Sequence, residues 1–95
     1  MEWRNNPVNV LHEWWGDGSW AIFNEASGQT HILNLIAYDS LNELSLRPLS
    51  MEVLIHYLSN VYPEDIISEE IASRNYLDAM INELDFLGLI EPCNL

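Results

Sequence analysis

Phe23-Asn24-Glu25-Ala26-Ser27-Gly28-Gln29-Thr30-His31-Ile32-Leu33-Asn34-Leu35-Ile36-Ala37 is the stretch whose reading decides the fold. It reads as the end of a strand, a turn, a second strand and a helix start with no linker between. Ser27-Gly28 supplies the turn, because glycine takes the positive φ that closes a short hairpin loop. Gln29 to Leu33 is β-prone, with the β-branched Thr30 and Ile32 two positions apart. Asn34 is suited to cap the following helix by accepting from a backbone N–H of its first turn. Leu33 and Tyr38 occupy the two positions of a hydrophobic staple around that cap.

Upstream, Met1 to Asn9 reads as an irregular lead-in broken by Asn5-Asn6-Pro7. Val10 to Trp15 and Trp20 to Phe23 read as strands joined by the turn Gly16-Asp17-Gly18-Ser19. With Gln29 to Leu33 they predict a three-stranded antiparallel meander. Downstream the apolar period changes from two to about 3.6 residues. Leu35 to Leu46 reads as a helix stopped by Arg47-Pro48. Ser50 caps a second helix with Met51, Leu54, Ile55 and Leu58 on one stripe, interrupted at Tyr62-Pro63.

Ser68 is the candidate cap of a third helix, with Glu69 and Glu70 in its first turn and Ile71, Leu77, Ile81 and Leu84 on its buried face. Arg74 interrupts that stripe, so either it lies at the edge or the helix breaks near Asn75. Gly88 and Leu89 fit a Schellman ending, and residues 92–95 read as a tail. The expectation is one α+β domain over residues 1–95, winged helix-turn-helix-like. It would have a three-stranded antiparallel sheet followed by three helices, βββααα.

Composition limits the function. The chain has 95 residues, 48% of them hydrophobic and 11% aromatic, enough for one modest core. No apolar run approaches the roughly 18 residues of a membrane span, and no secretory signal pattern opens the chain. Cys93 is the single cysteine, which fits a reducing, cytoplasmic compartment and reads as incidental in a mobile tail. Fifteen acidic residues face three arginines and no lysine, for a formal charge of −12. Such a chain repels phosphate backbones and anionic lipid surfaces, so neither nucleic acid nor membrane is the expected partner. From Ser50 on, nine carboxylates accompany only Arg74, the wrong sign for a recognition helix.

His12, His31, His56 and Cys93 lack metal-ligand spacing, and His31 reads as a hydrogen-bonded strand residue. No nucleophile stands beside a base, and no phosphate loop is present, so neither an enzyme nor a cofactor is expected. Trp3, Trp14, Trp15 and Trp20 all fall in the first twenty residues. Trp14 and Trp15, as strand neighbours, point to opposite faces, one toward the helices. The other either packs under the lead-in or forms a partner or self-association surface.

Ser27-Gly28-Gln29-Thr30-His31-Ile32-Leu33-Asn34 before a helix, and Leu84-x-x-x-Gly88-Leu89-Ile90 closing the last one, resemble the PqqD-like family of peptide chaperones and precursor-peptide recognition elements. The likeness runs from about Val10 to Glu91. Here Ser45 to Leu49 lacks the family's usual glycine, and the first strand is unusually rich in tryptophan. The resemblance implies that the leader of a ribosomally made precursor peptide adds as a strand beside the third strand and is presented to a modifying enzyme, a radical-SAM protein or another maturase. Carried onto this chain, the docking strand is Gln29, Thr30, His31, Ile32 and Leu33. The wall is the last helix, with Tyr76, Leu77, Met80, Ile81 and Leu84, and Arg74 is placed to pair with an acidic leader residue. The alternative expectation is an interaction or oligomerisation domain that uses the tryptophans, so a homo-oligomer stays open.

Overall fold

A computed structural model describes residues 1–62 and 70–93, with side chains of the second segment from Arg74 onward. Among the described residues six strands and three helices follow in the order β1 (Glu2–Asn5), β2 (Leu11–Gly16), β3 (Ser19–Asn24), β4 (Gln29–Leu33), α1 (Leu35–Leu46), β5 (Leu49–Ser50), α2 (Met51–Val61), α3 (Glu70–Phe86) and β6 (Ile90–Cys93). They form a small α+β fold with two three-stranded sheets, ordered β2-β3-β4 and β5-β1-β6.

This overturns the expected βββααα, winged helix-turn-helix-like arrangement. The lead-in is not irregular: Glu2 to Asn5 pairs antiparallel with β6 on one side and β5 on the other. The last residues described are not a tail either. Cys93 stands opposite Glu2 and is buried. The second sheet thus gathers the beginning of the described chain, the α1–α2 junction and the segment after α3.

The first sheet is the expected meander. Asp17 and Gly18 both have positive φ, 52° and 77°, so the β2–β3 hairpin turns on two left-handed residues, the form whose twist suits adjoining strands. Asn34 caps α1 by accepting from the Ala37 N–H, and Ser50 caps α2 by accepting from the Val53 N–H. α3 runs unbroken through Asn75, so Arg74 lies at its edge rather than at a break. It closes at Gly88 (φ 76°), where the Leu89 N–H reaches the Leu84 carbonyl and the Gly88 N–H the Asp85 carbonyl. That is the paired bonding of a Schellman ending. The expected cap Ser68 and Glu69, and the side chains of Glu70 and Ile71, lie outside what is described.

One core joins the parts. Ile22 and Leu33 enter it from the first sheet, and Leu41, Leu44, Leu54 and Leu58 from α1 and α2. Leu77, Ile81 and Leu84 enter from α3, and Leu49, Leu89 and Ile90 from the second sheet and its approach. Among the described residues no helix is long and apolar enough to cross a membrane.

Candidate functional site

β4 is positioned by a turn that the sequence builds locally. The Asn24 side chain is buried and accepts from the Ala26 N–H at 3.1 Å, while its carbonyl accepts from the Gly28 N–H at 2.8 Å. Ser27 Oγ accepts from the Gln29 N–H at 3.3 Å as the strand begins. Gly28 has φ 72°, a value that would strain any residue with a side chain.

β4 then runs antiparallel to β3, with Trp20 opposite Leu33, Ile22 opposite His31 and Asn24 opposite Gln29. Among the described residues it is an edge of its sheet. The Glu25 N–H goes to the Val10 carbonyl, so odd-numbered residues of β3 address β2 and even-numbered ones address β4. Gln29, His31 and Leu33 therefore bond to β3, and the main-chain groups of Thr30 and Ile32 face the free edge. β4 carries no charge and no proline, two of the devices that normally blunt an edge.

Side chains alternate accordingly. Leu33 is buried toward the helices, whereas Ile32, 68% exposed, lies on the outer face in one row with Ala21 and Trp14. Between β4 and α3 lies a cleft of about 320 Å³. Ile32, Leu33 and Ala37 line one side, and Tyr76, Ala79, Met80, Glu83 and Leu84 the other. Asn34 stands at its end with two tasks: Oδ1 caps α1, and Nδ2 donates to the Tyr76 hydroxyl at 3.1 Å. One side chain thus ties the strand–helix junction to the wall. Met80 forms part of the cleft, its sulfur 3.9 Å from the hydroxyl of the buried Ser40.

Of the residues expected at the site, Ile32, Leu33, Tyr76, Met80 and Leu84 come together in this cleft. Leu77 and Ile81 do not line it; they are buried in the core. Arg74 points elsewhere, bonded to Glu52 at 3.3 Å and Asp78 at 3.4 Å in a hollow that shares no residue with the cleft. It helps hold the Glu52 carboxyl below its usual range, after the larger effect of a hydrogen bond to the backbone N–H. Among the described residues, the buried Nε2 of His31 has no hydrogen-bond partner, so the expected bond is not made there. Sequence reading missed Asn34 as a wall contact, and Ala37, Ala79 and Glu83. The last two were accessible, since Tyr76, Ala79, Met80 and Glu83 follow helical i, i+3, i+4, i+7 spacing.

The tryptophans separate. Trp20 stacks on Tyr38 at 3.8 Å with planes 8° apart, and Trp3 packs against the core from β1 rather than in a lead-in. Trp14 and Trp15 remain 57% and 55% exposed. With Ala21 and Ile32 they border a hollow of about 200 Å³ on the outer side of the first sheet. Among the described residues, no group of three or more His, Cys, Asp or Glu side chains is placed to hold a metal ion.

Compared with family profiles, curated proteins and solved structures, the chain matches none.

Proposed function

We propose that this domain is a non-catalytic peptide-binding module that takes an extended segment as an added strand beside β4. The observation that carries the reading is the unguarded edge itself, with the outward main-chain groups of Thr30 and Ile32 set beside an apolar cleft. Strand addition draws affinity from main-chain hydrogen bonds and selectivity from pockets for alternate side chains. The likeness of Ser27 to Asn34 and of the Leu84 to Ile90 ending to the PqqD-like family supplies the biological setting. There the segment is the leader of a ribosomally made precursor peptide, and the domain presents it to a modifying enzyme in the cytoplasm.

Thr30→Pro tests the reading. Proline removes an N–H that points away from β3, so the ladder to β3 keeps its bonds. The variant is expected to remain folded by circular dichroism and to lose binding to a cognate leader in calorimetry. Unchanged affinity would overturn strand addition at β4.

A second reading rests on the exposure of Trp14 and Trp15, which suits a protein–protein or self-association surface. It predicts a dimer or larger species in light scattering that dissociates on Trp14→Ala. A monomer at high concentration speaks against it.

A further inference from the structure

Ile32 lines both the cleft against α3 and the outer hollow beside Trp14 and Ala21. The apolar surface therefore continues around the β4 edge from one face of the sheet to the other. A solvated antiparallel sheet ordinarily pairs one apolar face with one polar face, and a segment joining it alternates to match. Here a joining segment meets Leu33, Ala79, Met80 and Leu84 through one set of its side chains. Through the other set it lies beside Ile32 and extends the row from Trp14 and Ala21.

Charge selects further. Among the described residues, Glu83 is the only charged one lining the cleft, and Asp17 the only one lining the outer hollow. Arg74, the cation placed by sequence to receive an acidic ligand, is held by Glu52 and Asp78 away from both. The chain as a whole carries −12. An acidic segment would find repulsion over distance and no cation on arrival, whereas a basic one is drawn in and has a carboxylate on each side of the edge. The same charge opposes a second copy of this chain as the occupant.

Building on strand addition at β4, we propose that the partner is a basic extended segment, apolar on both of its faces over the length of β4 and flanked by lysine or arginine. This partner class is the reverse in sign of one that Arg74 would have received.

The test uses the whole chain and four kinds of short amidated peptide. Their central residues are apolar either throughout or only at alternate positions, and their flanks are lysine or glutamate. Fluorescence titration at low salt is expected to show lysine-flanked peptides binding about fivefold tighter than glutamate-flanked ones, a difference that shrinks in added salt. Peptides apolar throughout are expected to bind about tenfold tighter than alternating ones. Glu83→Lys should narrow or reverse the flank preference, and Trp14→Ala should narrow the two-faced preference.

Equal binding by all four kinds, still lost on Thr30→Pro, would overturn this partner class and leave strand addition standing. Tighter binding of the glutamate-flanked peptides would also overturn it. Binding of all four that Thr30→Pro leaves intact, or a dimer of the chain that Thr30→Pro dissociates, would instead remove the underlying reading, and the proposal with it.

Discussion

The two sheets are equal in strand number and opposite in the condition of their edges. In the β5-β1-β6 sheet, the Asn6 N–H goes to the Leu89 carbonyl, so even-numbered residues of β1 address β6. Trp3 opposite Pro92 is then a pair without exchanged bonds, and the nitrogen of Pro92 lies on the outer edge of β6, where it offers no donor. At the other edge, β5 has only two residues and follows Pro48 directly. Short length and proline are ways of closing an edge to other chains. β4 has neither, and an apolar cleft beside it. The difference teaches that one sheet braces the fold while the other leaves main-chain groups available.

The sharpest way to break that comparison is to damage the brace. Ile90 is 1% exposed in the common core, so Ile90→Ala is expected to cost about 2–5 kcal/mol in urea denaturation. In so small a domain that is a large fraction of the total stability. Thr30→Pro on the other sheet should move the midpoint far less while removing binding. If both variants lowered stability alike, the division between brace and docking edge would fail.

Much of the half that carries β4 is legible in the chain, and little of the brace. Gln29 to Leu33 and Leu35 to Leu46 match their expected bounds because turn, strand, cap and helix are all encoded by neighbours. Arg4 and Glu91 face each other across eighty-seven positions, and no local period announces such a pairing. β5 is too short for any alternation to show. Asn5-Asn6-Pro7 does end β1, at Asn5, whereas Pro92 is a breaker signal that tertiary pairing overrides, because its nitrogen lies away from β1. At the cleft, the helical stripe pointed to the wall but not to which of its members the core would consume. Leu77 and Ile81 went inward, leaving Tyr76, Ala79, Met80 and Glu83.

α1 spans the gap between the sheets, beginning after β4 and ending before β5, and α2 clamps it. The Tyr57 hydroxyl donates to Asp39 Oδ1 at 3.1 Å and the Tyr62 hydroxyl to Oδ2 at 3.0 Å. Burial, and then the Asp39 carboxylate, push the Tyr57 phenol up to about 12 and raise that of Tyr62. The folded state therefore holds these protons more tightly than the unfolded chain, so the stabilisation is complete below pH about 10 and fades as pH rises toward 12. Thermal melts should show that fall, and Tyr57→Phe should flatten it while costing about 1–2 kcal/mol at neutral pH. A wild-type melting temperature indifferent to pH across this window would discount the clamp.

Asn34→Ala sharpens the comparison at the junction. Loss of the cap is expected to cost about 1 kcal/mol, and loss of the Nδ2 bond leaves Tyr76 without its tie to the strand end. Peptide affinity measured by calorimetry should fall as well, because the cleft is less firmly set. An unchanged affinity would mean that α3 holds its wall position through the core alone.

The smallest effect is expected at the Arg4–Glu91 ion pair, which spans the brace. Arg4 Nε approaches Glu91 Oε2 at 2.9 Å, and the pairing raises the already high guanidinium pKa. Both side chains are partly exposed, so water and salt screen the pair, and ordering two long side chains offsets part of the gain. Arg4→Met keeps most of the stem's packing while removing the charge, and should lower the urea midpoint only slightly, and less still in high salt. If the cost proved as large as that of Ile90→Ala, charge across β1 and β6 would hold the second sheet. A small cost places the work in Leu49, Leu89 and Ile90, whose burial involves no charge for salt to screen. That outcome lets the chain carry a formal charge of −12 without its second sheet depending on charge.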